Sequence, residues 1–480
     1  MSDGAGRSDA SAPSRRTRVL GAAVSAALVG IGLVLVPVQA AEADPDTCGT
    51  NCVLVPTPTQ DPALGVDNTG ATDASLPMME YFAHVAADRH PSDANPITVR
   101  LQPNSVYWLN YGIQFKYDAT TNGNNVWSTR VVPTLPAFDL SFTTLDLNGA
   151  TIDQCFSPTS DPTAYNACVT NWNALGASGR RLHNGNPIVS TAGATDVTLD
   201  GNSSAIGANQ YGKLVNSAFG KDPARWKSIG VNLPYPSWQG VRIAGSPSGD
   251  VARNITVLHT DIQWVGGDFV GIAAPTSAFI KGVRDSYDIE NVRVTSNTLR
   301  HSARQGVNVA GGSTISIDHN TITDTGRVVF DSEPTVSQGS RNVTISDNVT
   351  TSGGIGYLNW NAGPLGDDFS FRDNVLMSPG GKGSNIAMLV TSAPGTSKHG
   401  VTITGNAQDQ TGVYGAPVTR CYTKKSDFMI RIKNYDHATV QDNTNFVKFP
   451  AQGVIVQGTG DPTTNVTAPN NFLNDPVVCA

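Results

Sequence analysis

Charged residues are scarce in this chain of 480 residues: they make up 15% of it, and the formal net charge is −7. No basic stripe is present, so nothing in the composition indicates a nucleic-acid-binding protein. A mildly acidic chain does not attract a polyanion through its overall field, and an acidic substrate would need local arginine and lysine side chains. Cys-x-x-Cys pairs and histidine clusters with the spacing of metal ligands are also absent, which argues against structural zinc.

Turn-forming residues, in contrast, are abundant. The chain contains 48 glycines and 29 prolines. A turn-rich and lightly charged composition is typical of many short strands. A β-solenoid also accommodates this chain length, because it grows in one dimension rather than around one central core.

The first 45 residues are interpreted as an export signal and a short linker. Arg15-Arg16-Thr17-Arg18 precede an apolar run from Val19 to Val36, and Val38-Gln39-Ala40 supply small residues at a cleavage position. The paired arginines leave the twin-arginine and the general export route open, and an uncleaved membrane anchor is the alternative. We therefore expect a secreted protein with no membrane segment after the signal is removed.

Cysteine usage agrees with export. The six cysteines are an even number, as expected in an oxidising compartment. Neighbouring positions suggest the pairs Cys48–Cys52 and Cys155–Cys168, which leaves Cys421 to pair with Cys479. The last pair would tie a C-terminal tail, residues 461–480, back to the preceding coils.

An asparagine recurs down the second half of the chain, each time after a short alternating run such as Ile315-Ser316-Ile317. The intervals are roughly 20 to 40 residues, the range of solenoids, and the alternation predicts strands. Each asparagine suits a turn that needs the left-handed backbone region, and stacked asparagines would bond along the stack. The six are Asn297, Asn320, Asn348, Asn374, Asn406 and Asn443. The fold predicted for residues 95–460 is therefore an all-β, single-stranded parallel β-helix, with the usual right-handed crossover.

The open end of such a solenoid needs a cap, because it exposes core and unpaired strand edges. Residues 46–94 contain a capping signal at Thr72 and Asp73, followed by apolar residues at helical spacing that include Met79 and Phe82. This segment is predicted to form the N-terminal capping helix.

A second strand in each coil carries the candidate site. Its inward apolar residues alternate with polar ones, which then form columns on the outer face of successive coils. Polar groups with catalytic chemistry converge on about three adjacent coils: Asp268, Arg304, Asp331 and Glu333. Substrate-binding roles are predicted for Gln239, Arg242, Gln305, Asn308, Trp238 and Trp264.

Several segments resemble a known family. They include the Gly70-Ala71-Thr72-Asp73 start of the helix, Trp238-Gln239-Gly240-Val241, Gly267-Asp268-Phe269-Val270, Arg304-Gln305-Gly306-Val307 and Phe330-Asp331-Ser332-Glu333-Pro334. They are similar to the secreted actinobacterial right-handed parallel β-helix proteins of the pectate lyase-like superfamily. The resemblance covers roughly residues 65 to 450 and implies the fold, but not one activity, because that superfamily contains lyases, hydrolases, epimerases and non-enzymes.

Three carboxylates with an arginine allow two reactions on a polysaccharide. In a hydrolase, a protonated acid donates to the glycosidic oxygen while a carboxylate activates water. In a lyase, the carboxylates would hold Ca²⁺, and Arg304 would neutralise the substrate carboxylate or take a proton. No cofactor is required in the first case, and spacing does not choose between the two.

Non-catalytic interpretations compete with this one. Asp331 to Pro334 would equally form a turn with an ion pair to Arg304, and Gln239, Asp268 and Gln305 would form a structural polar ladder. The alternative function is a carbohydrate-binding or surface-attachment solenoid. In either case the expected partner is a polysaccharide, not nucleic acid, and the expected state is a monomer.

Overall fold

The structure is a computed structural model. It describes residues 48–118, 135–154, 187–202, 211–217, 239–246, 249–272, 289–334, 339–353, 356–363, 366–377, 386–391, 400–409, 428–433, 435 and 437–443, and four short strands beyond them. The predicted export signal at residues 1–45 lies outside these ranges. So do Cys155, Cys168, Cys421 and Cys479.

Three long parallel sheets run through the described residues, and each coil contributes one strand to each of them in turn. Sheet A contains Cys52–Leu54, Ile97–Arg100, Thr143–Asp146, Thr195–Asp200, Ala252–Leu258, Ile289–Thr295, Gly312–Asp318, Ser340–Ser346, Asp367–Arg372, Val401–Thr404, Ala438–Gln441 and Val466–Thr467. Sheet B contains Thr69–Asp73, Val106–Leu109, Thr151–Gln154, Lys213–Val215, Asp261–Val265, Thr298–Ser302, Thr321–Thr325, Val349–Gly353, Val375–Met377 and Ala407–Asp409. Sheet C contains Ile113–Gln114, Val189–Ser190, Val241–Ile243, Val270–Ile272, Val307–Val309, Val328–Asp331, Gly356–Asn361, Ile386–Thr391, Phe428–Ile432 and Ile455–Gln457.

Two small pairs of strands complete the described elements. Phe446–Val447 pairs in parallel with Leu473–Asn474, and Lys116–Tyr117 pairs antiparallel with Phe138–Asp139. Because neighbours in each long sheet come from successive coils and run parallel, the chain is a right-handed parallel β-helix, which confirms the predicted fold.

The core lies between the three sheets and is built from stacked inward residues. In sheet A, Val294, Ile317, Ile345, Phe371 and Ile403 pair in register from coil to coil, and each is fully buried. Burying an apolar side chain of this size stabilises the fold by about 1.5–3 kcal/mol. The period-2 alternation seen in the sequence therefore fixes which face of each strand turns inward, and the polar positions between them turn outward.

The strand stack extends beyond residues 95–460 at both ends. Cys52–Leu54 pairs with Ile97–Arg100 in sheet A, and Thr69–Asp73 pairs with Val106–Leu109 in sheet B. At the other end, Val466–Thr467 pairs with the preceding sheet A strand.

The six recurring asparagines form a continuous ladder at the turn between sheets A and B. In the first five of them, the side-chain Nδ2 donates to Oδ1 of the asparagine one coil further on, at 2.9 to 3.0 Å. The backbone N–H of the same five donates to the same Oδ1, and the Nδ2 of all six also reaches a carbonyl of the previous coil's sheet A strand. Thr260 starts the ladder in place of an asparagine, because its N–H and hydroxyl both donate to Asn297 Oδ1.

The left-handed residue at this turn is not the asparagine, and that prediction is wrong. It is the residue before, with φ between 52° and 68° at His259, Ser296, His319, Asp347, Asp373, Gly405 and Asp442. The preceding residue takes the left-handed conformation at the turn, and the asparagine directs its carboxamide into the stack. The asparagines are buried and satisfy backbone groups that water cannot reach.

The predicted N-terminal helix is present at Ser75–Arg89. Asp73 Oδ1 accepts from the Ser75 N–H at 2.9 Å and from the Ser75 hydroxyl, which fixes the start of the helix. Met79 and Phe82 are fully buried, and the Phe82 ring lies 6.4 Å from that of Phe115 in the first coils. The helix therefore supplies apolar cover to the end of the core.

Two further predictions concern the cysteine pairs and membrane segments. The Cα atoms of Cys48 and Cys52 are 5.0 Å apart, within the range that a disulfide requires, and the other cysteine pairs stay predictions. Within the described ranges, no helix combines the length and the apolar character needed to cross a membrane.

A hydrogen-bonded carboxylate on sheet A predicts acid sensitivity. Burial alone would raise the pKa of Asp318, but hydrogen bonds from Thr295, Ser316, His319 and Arg293 outweigh it and lower that pKa to about 2. Because the folded-state pKa lies below the unfolded one, the stabilisation is present above pH ~4 and is lost as pH falls towards 2. Asp318→Asn should thus lower the free energy of unfolding at neutral pH, but not near pH 2, in urea titrations at several pH values. An equal loss at every pH would contradict this.

Candidate active site on sheet C

The outward residues of sheet C form one continuous column. Arg242, Gly271, Asn308, Asp331 and Asn359 occupy equivalent positions on five successive strands, each in register with the next. The inward residues on either side, such as Val307 and Val309, are fully buried. The alternation of these short strands therefore sets the polar residues side by side along the axis, roughly 4.8 Å apart.

Asp268 lies at the centre of a ring of donors and is fully buried. The Arg304 Nη1 atom lies 3.4 and 3.5 Å from its two oxygens, and the backbone N–H of Gln305 donates to Oδ1 at 3.1 Å. The amides of Gln239 and Asn308 donate to Oδ2 at 3.4 and 3.5 Å. Burial raises the pKa of Asp268, and the Arg304 charge and these donors oppose that effect without cancelling it.

Asp331 is the second buried acid, two coils further along. Its Oδ1 accepts from Asn359 Nδ2 at 2.7 Å, and its Oδ2 accepts from Gln305 Nε2. Burial, and next the charge of Glu333, raise the pKa of Asp331 to about 7, although the Asn359 hydrogen bond works in the other direction. Asp331 therefore carries a proton part of the time at neutral pH.

Arg304 connects the buried acid to the exposed one. Its Nη2 donates to Glu333 Oε2 at 3.0 Å while Nη1 faces Asp268. The Arg304 side chain is 6% exposed and that of Glu333 is 46% exposed. A single planar guanidinium thus holds a buried carboxylate and a solvent-accessible one on the same face of the solenoid.

Gly271 leaves space beside the ring of donors. A Cβ atom at Gly271 would lie 2.0 to 2.6 Å from the side-chain amide of Gln239. Because Gly271 has no side chain, Gln239 can lie across its position and reach Asp268.

The structure gathers eight residues into what we call the sheet C cluster: Gln239, Asp268, Arg304, Gln305, Asn308, Asp331, Glu333 and Asn359. All four predicted catalytic residues belong to it. Arg242 lies in the outward column, in register with Gly271 of the next coil. Trp238 lies outside the described residues.

Trp264 lies in a different sheet from the cluster. It belongs to Asp261–Val265 of sheet B, and its ring stacks on that of His301 at 3.9 Å. His301 in turn contacts Asp324 at 3.0 Å. Tyr357 and Trp360, on the sheet C strand Gly356–Asn361, are buried in the core.

Asn359 is a member of the cluster that sequence reasoning missed. Its signal is present, since Leu358-Asn359 repeats the inward and outward pattern of Phe330-Asp331. An uncharged residue on that strand did not suggest acid–base chemistry.

Three carboxamide oxygens of the cluster are buried and lack a hydrogen-bond partner among the described residues. They are Gln239 Oε1, Gln305 Oε1 and Asn308 Oδ1. Each of these amides directs its nitrogen at a carboxylate, which leaves its oxygen facing elsewhere. A buried acceptor of this kind has unused capacity for a donor such as a hydroxyl group.

The residues present do not fit calcium. Calcium takes six to eight oxygen ligands. Here the oxygens of Asp268 and Asp331 face N–H donors, and a guanidinium lies between Asp268 and Glu333. Those donors would repel a cation. Nor does the described part of the chain contain a group of three or more His, Cys, Asp or Glu side chains placed to hold a metal ion.

Comparison with known proteins bears on the fold. No protein-family model and no curated protein sequence matches this chain. Among solved structures, the chain is similar to an exopolygalacturonase from Thermotoga maritima, with 12% identity, a TM-score of 0.44, and 88% of this chain and 92% of that one covered.

Two other solved structures give similar values. For the A-module of the mannuronan C-5 epimerase AlgE6 of Azotobacter vinelandii, identity is 13%, the TM-score is 0.45, and the coverages are 86% and 97%. For the surface protein and adhesin PfbA of Streptococcus pneumoniae, they are 11%, 0.41, 88% and 99%. At such identities the likeness concerns the fold alone, so function rests on the site.

Proposed function

We propose that this protein cleaves a polysaccharide, and that it does so by hydrolysis of a glycosidic bond. The observation that carries the proposal is the unequal pair of acids on one outer face. Asp331 is buried with a pKa of about 7, while Glu333 is half exposed and paired with Arg304. A buried carboxyl group with a raised pKa beside an exposed carboxylate is a usual arrangement for an acid and a base.

In this proposal Asp331 is the general acid. Its proton passes to the glycosidic oxygen as the bond to the sugar breaks. Glu333 accepts a proton from the attacking water. Asp331 is the last residue of its strand and Glu333 follows two residues later, so both carboxyl groups belong to the same end of that strand.

Asp268 acts through its neighbours. It is fully buried and surrounded by donors, so it serves as a fixed negative charge that holds Arg304 and the Gln305 backbone in position. Gln239 and Asn308 support Asp268 Oδ2 through their amide nitrogens, and their buried oxygens would reach a sugar hydroxyl group only after a movement of the side chains.

Elimination is the less favoured reaction at this site. It would need Arg304 to take a proton from the substrate, yet Arg304 is buried and donates to two carboxylates. It would also need a bound calcium ion, which the donors around Asp268 and Asp331 oppose.

A non-catalytic role remains as the second candidate, because the hydrogen-bonding capacity of Asp268 and Asp331 is largely satisfied inside the protein. A protein that only binds would use the exposed Glu333 and its surroundings as a recognition surface. The wider proposal, in both cases, is a secreted monomer that acts on polysaccharide outside the cell.

The test is incubation of the protein, without residues 1–45, with a panel of neutral and acidic polysaccharides, with added calcium or with a chelator. We expect new reducing ends without unsaturated products, equally in both conditions. Unsaturated products that form only with calcium would contradict hydrolysis and show elimination instead. Binding without any cleavage across the panel would support the second candidate.

A further inference from the structure

Gln305 touches both buried acids of the cluster. Its backbone N–H donates to Asp268 Oδ1 at 3.1 Å, and its side-chain Nε2 donates to Asp331 Oδ2. The residue is 1% exposed, so its carboxamide has no access to bulk water. The other oxygen of Asp331, Oδ1, is held by Asn359.

The carboxamide oxygen of Gln305 is left without a partner. Oε1 is buried, and no donor among the described residues reaches it. This arrangement suits an ionised Asp331, which can only accept. A protonated Asp331 has a hydroxyl group to donate, and Nε2 offers it no acceptor.

A half-turn of the carboxamide resolves this conflict. The oxygen and nitrogen of a glutamine side chain have nearly the same size and shape, so exchanging them needs no additional space. After the exchange, Oε1 would face Asp331 Oδ2 and accept its proton in a hydrogen bond. The acceptor that had no partner would then have one.

We propose that Gln305 is a positioning residue that holds Asp331 in both of its charge states. Nε2 donates to the carboxylate, and after rotation Oε1 accepts from the protonated Oδ2. Asn359 keeps Oδ1 fixed throughout, so the proton resides on Oδ2. This proposal deepens the proposed hydrolytic function. It rests on that function only in taking Asp331 as the catalytic acid.

The surroundings of Asp331 make both charge states relevant. The charged groups that face it are Glu333, Asp268 and, beyond them, Arg304. Burial raises the pKa of Asp331 to about 7. Both forms are therefore populated near neutral pH. A side chain that bonded to only one of them would leave Asp331 free to move in its other form.

The test is a double-mutant cycle that combines Gln305→Met with Asp331→Leu. The free energy of unfolding is measured in urea at about pH 5.5 and about pH 8.5, on either side of the Asp331 midpoint. We expect the two residues to be coupled at both pH values, by about tenfold in the unfolding equilibrium constant, the scale of one hydrogen bond. Coupling only at the higher pH would mean that Gln305 serves the carboxylate alone, and would overturn the proposal.

The matched control is Gln239→Met in the same cycle. Gln239 is also a buried glutamine of this face, but it donates to Asp268 rather than to Asp331. We expect little coupling between it and Asp331 at either pH. Coupling as large as that of Gln305 would show a general effect of packing and contradict a specific role.

A spectroscopic measurement covers the case in which a double variant does not fold. In protein labelled with ¹⁵N-glutamine, the side-chain amide signal missing from Gln305→Met belongs to Gln305. It should move with pH around 7 in the parent protein and stay constant in Asp331→Asn. A Gln305 signal that ignores pH would refute the proposal. Activity is not used in either measurement, so a failure of the proposed function is seen separately, in the polysaccharide panel.

Discussion

Asp331→Asn should lower the rate of polysaccharide cleavage by about a hundredfold or more, the usual scale for a positioned acid. The amide retains the shape of the side chain but has no proton to transfer. If Asp331 is the acid, the parent protein should also lose activity as pH rises through about 7, because burial raises the pKa of Asp331 to that value and the ionised form has no proton to donate. The measurement is initial rates across pH for both proteins.

Two companion variants change Glu333 and Arg304, the two charged residues next to the buried acids. Glu333→Gln should reduce the rate on the same scale and change the melting temperature little, because Glu333 is half exposed and Arg304 keeps its contact with Asp268. Arg304→Lys should also lower the rate of cleavage, since an ammonium group cannot replace a planar guanidinium that faces both Asp268 and Glu333.

Asp347→Asn is the control for these measurements. Asp347 is an exposed acid at the turn of the asparagine ladder, and asparagine tolerates its left-handed backbone. Its rate should equal that of the parent. If instead Asp331→Asn and Glu333→Gln both keep full activity, the cluster has a structural role and the binding solenoid replaces the enzyme.

The fold is predictable because its determinants repeat. Val343-Thr344-Ile345 before Asn348 and Phe369-Ser370-Phe371 before Asn374 show the same strand and turn one coil apart. Repetition averages out the ambiguity that a single short apolar run would carry. The identity of the left-handed residue was missed because that position varies, from Ser296 to Gly405, while the buried asparagine does not.

The site is only partly predictable from the sequence. The alternation of apolar and polar residues shows which way a side chain points, but not how far it is buried. It identifies Asp331 as an outward residue next to Phe330, but an outward residue need not be exposed. Asp331 is 2% exposed. The raised pKa that makes it a candidate acid follows from that burial, to which side chains of neighbouring coils such as Gln305 and Asn359 contribute.

The same reasoning applies to the aromatic residues. Trp360 follows Asn359 on one strand, so it points into the core, where its ring stacks on Phe369 at 4.2 Å. A tryptophan in a turn-rich protein suggests sugar stacking by composition alone, and the period of the strand is the better guide.

Asn348→Leu should destabilise the fold by roughly 3 to 5 kcal/mol, because one substitution removes several buried hydrogen bonds. Asn348 Oδ1 accepts from the backbone and the side chain of Asn320, at 2.9 and 3.0 Å. Its Nδ2 donates to the carbonyls of Ile317 and Ser346, both at 2.9 Å, and to Asn374. Leucine has a similar volume, so the loss reports unsatisfied polar groups rather than a cavity. Urea unfolding of the variant and the parent measures it.

Asn202→Leu is the matched control, because Asn202 is exposed and its side chain makes no hydrogen bond within the described residues. It should change the free energy of unfolding by less than about 0.5 kcal/mol, as surface substitutions usually do. Equal losses for the two variants would mean that the ladder contributes nothing specific. A large loss confined to Asn348→Leu would instead show that the asparagines stabilise the coils by satisfying backbone groups that the solenoid encloses at every turn. Asp331, one coil away, has a raised pKa for a related reason. Its carboxyl group is also buried, where water cannot solvate the charge.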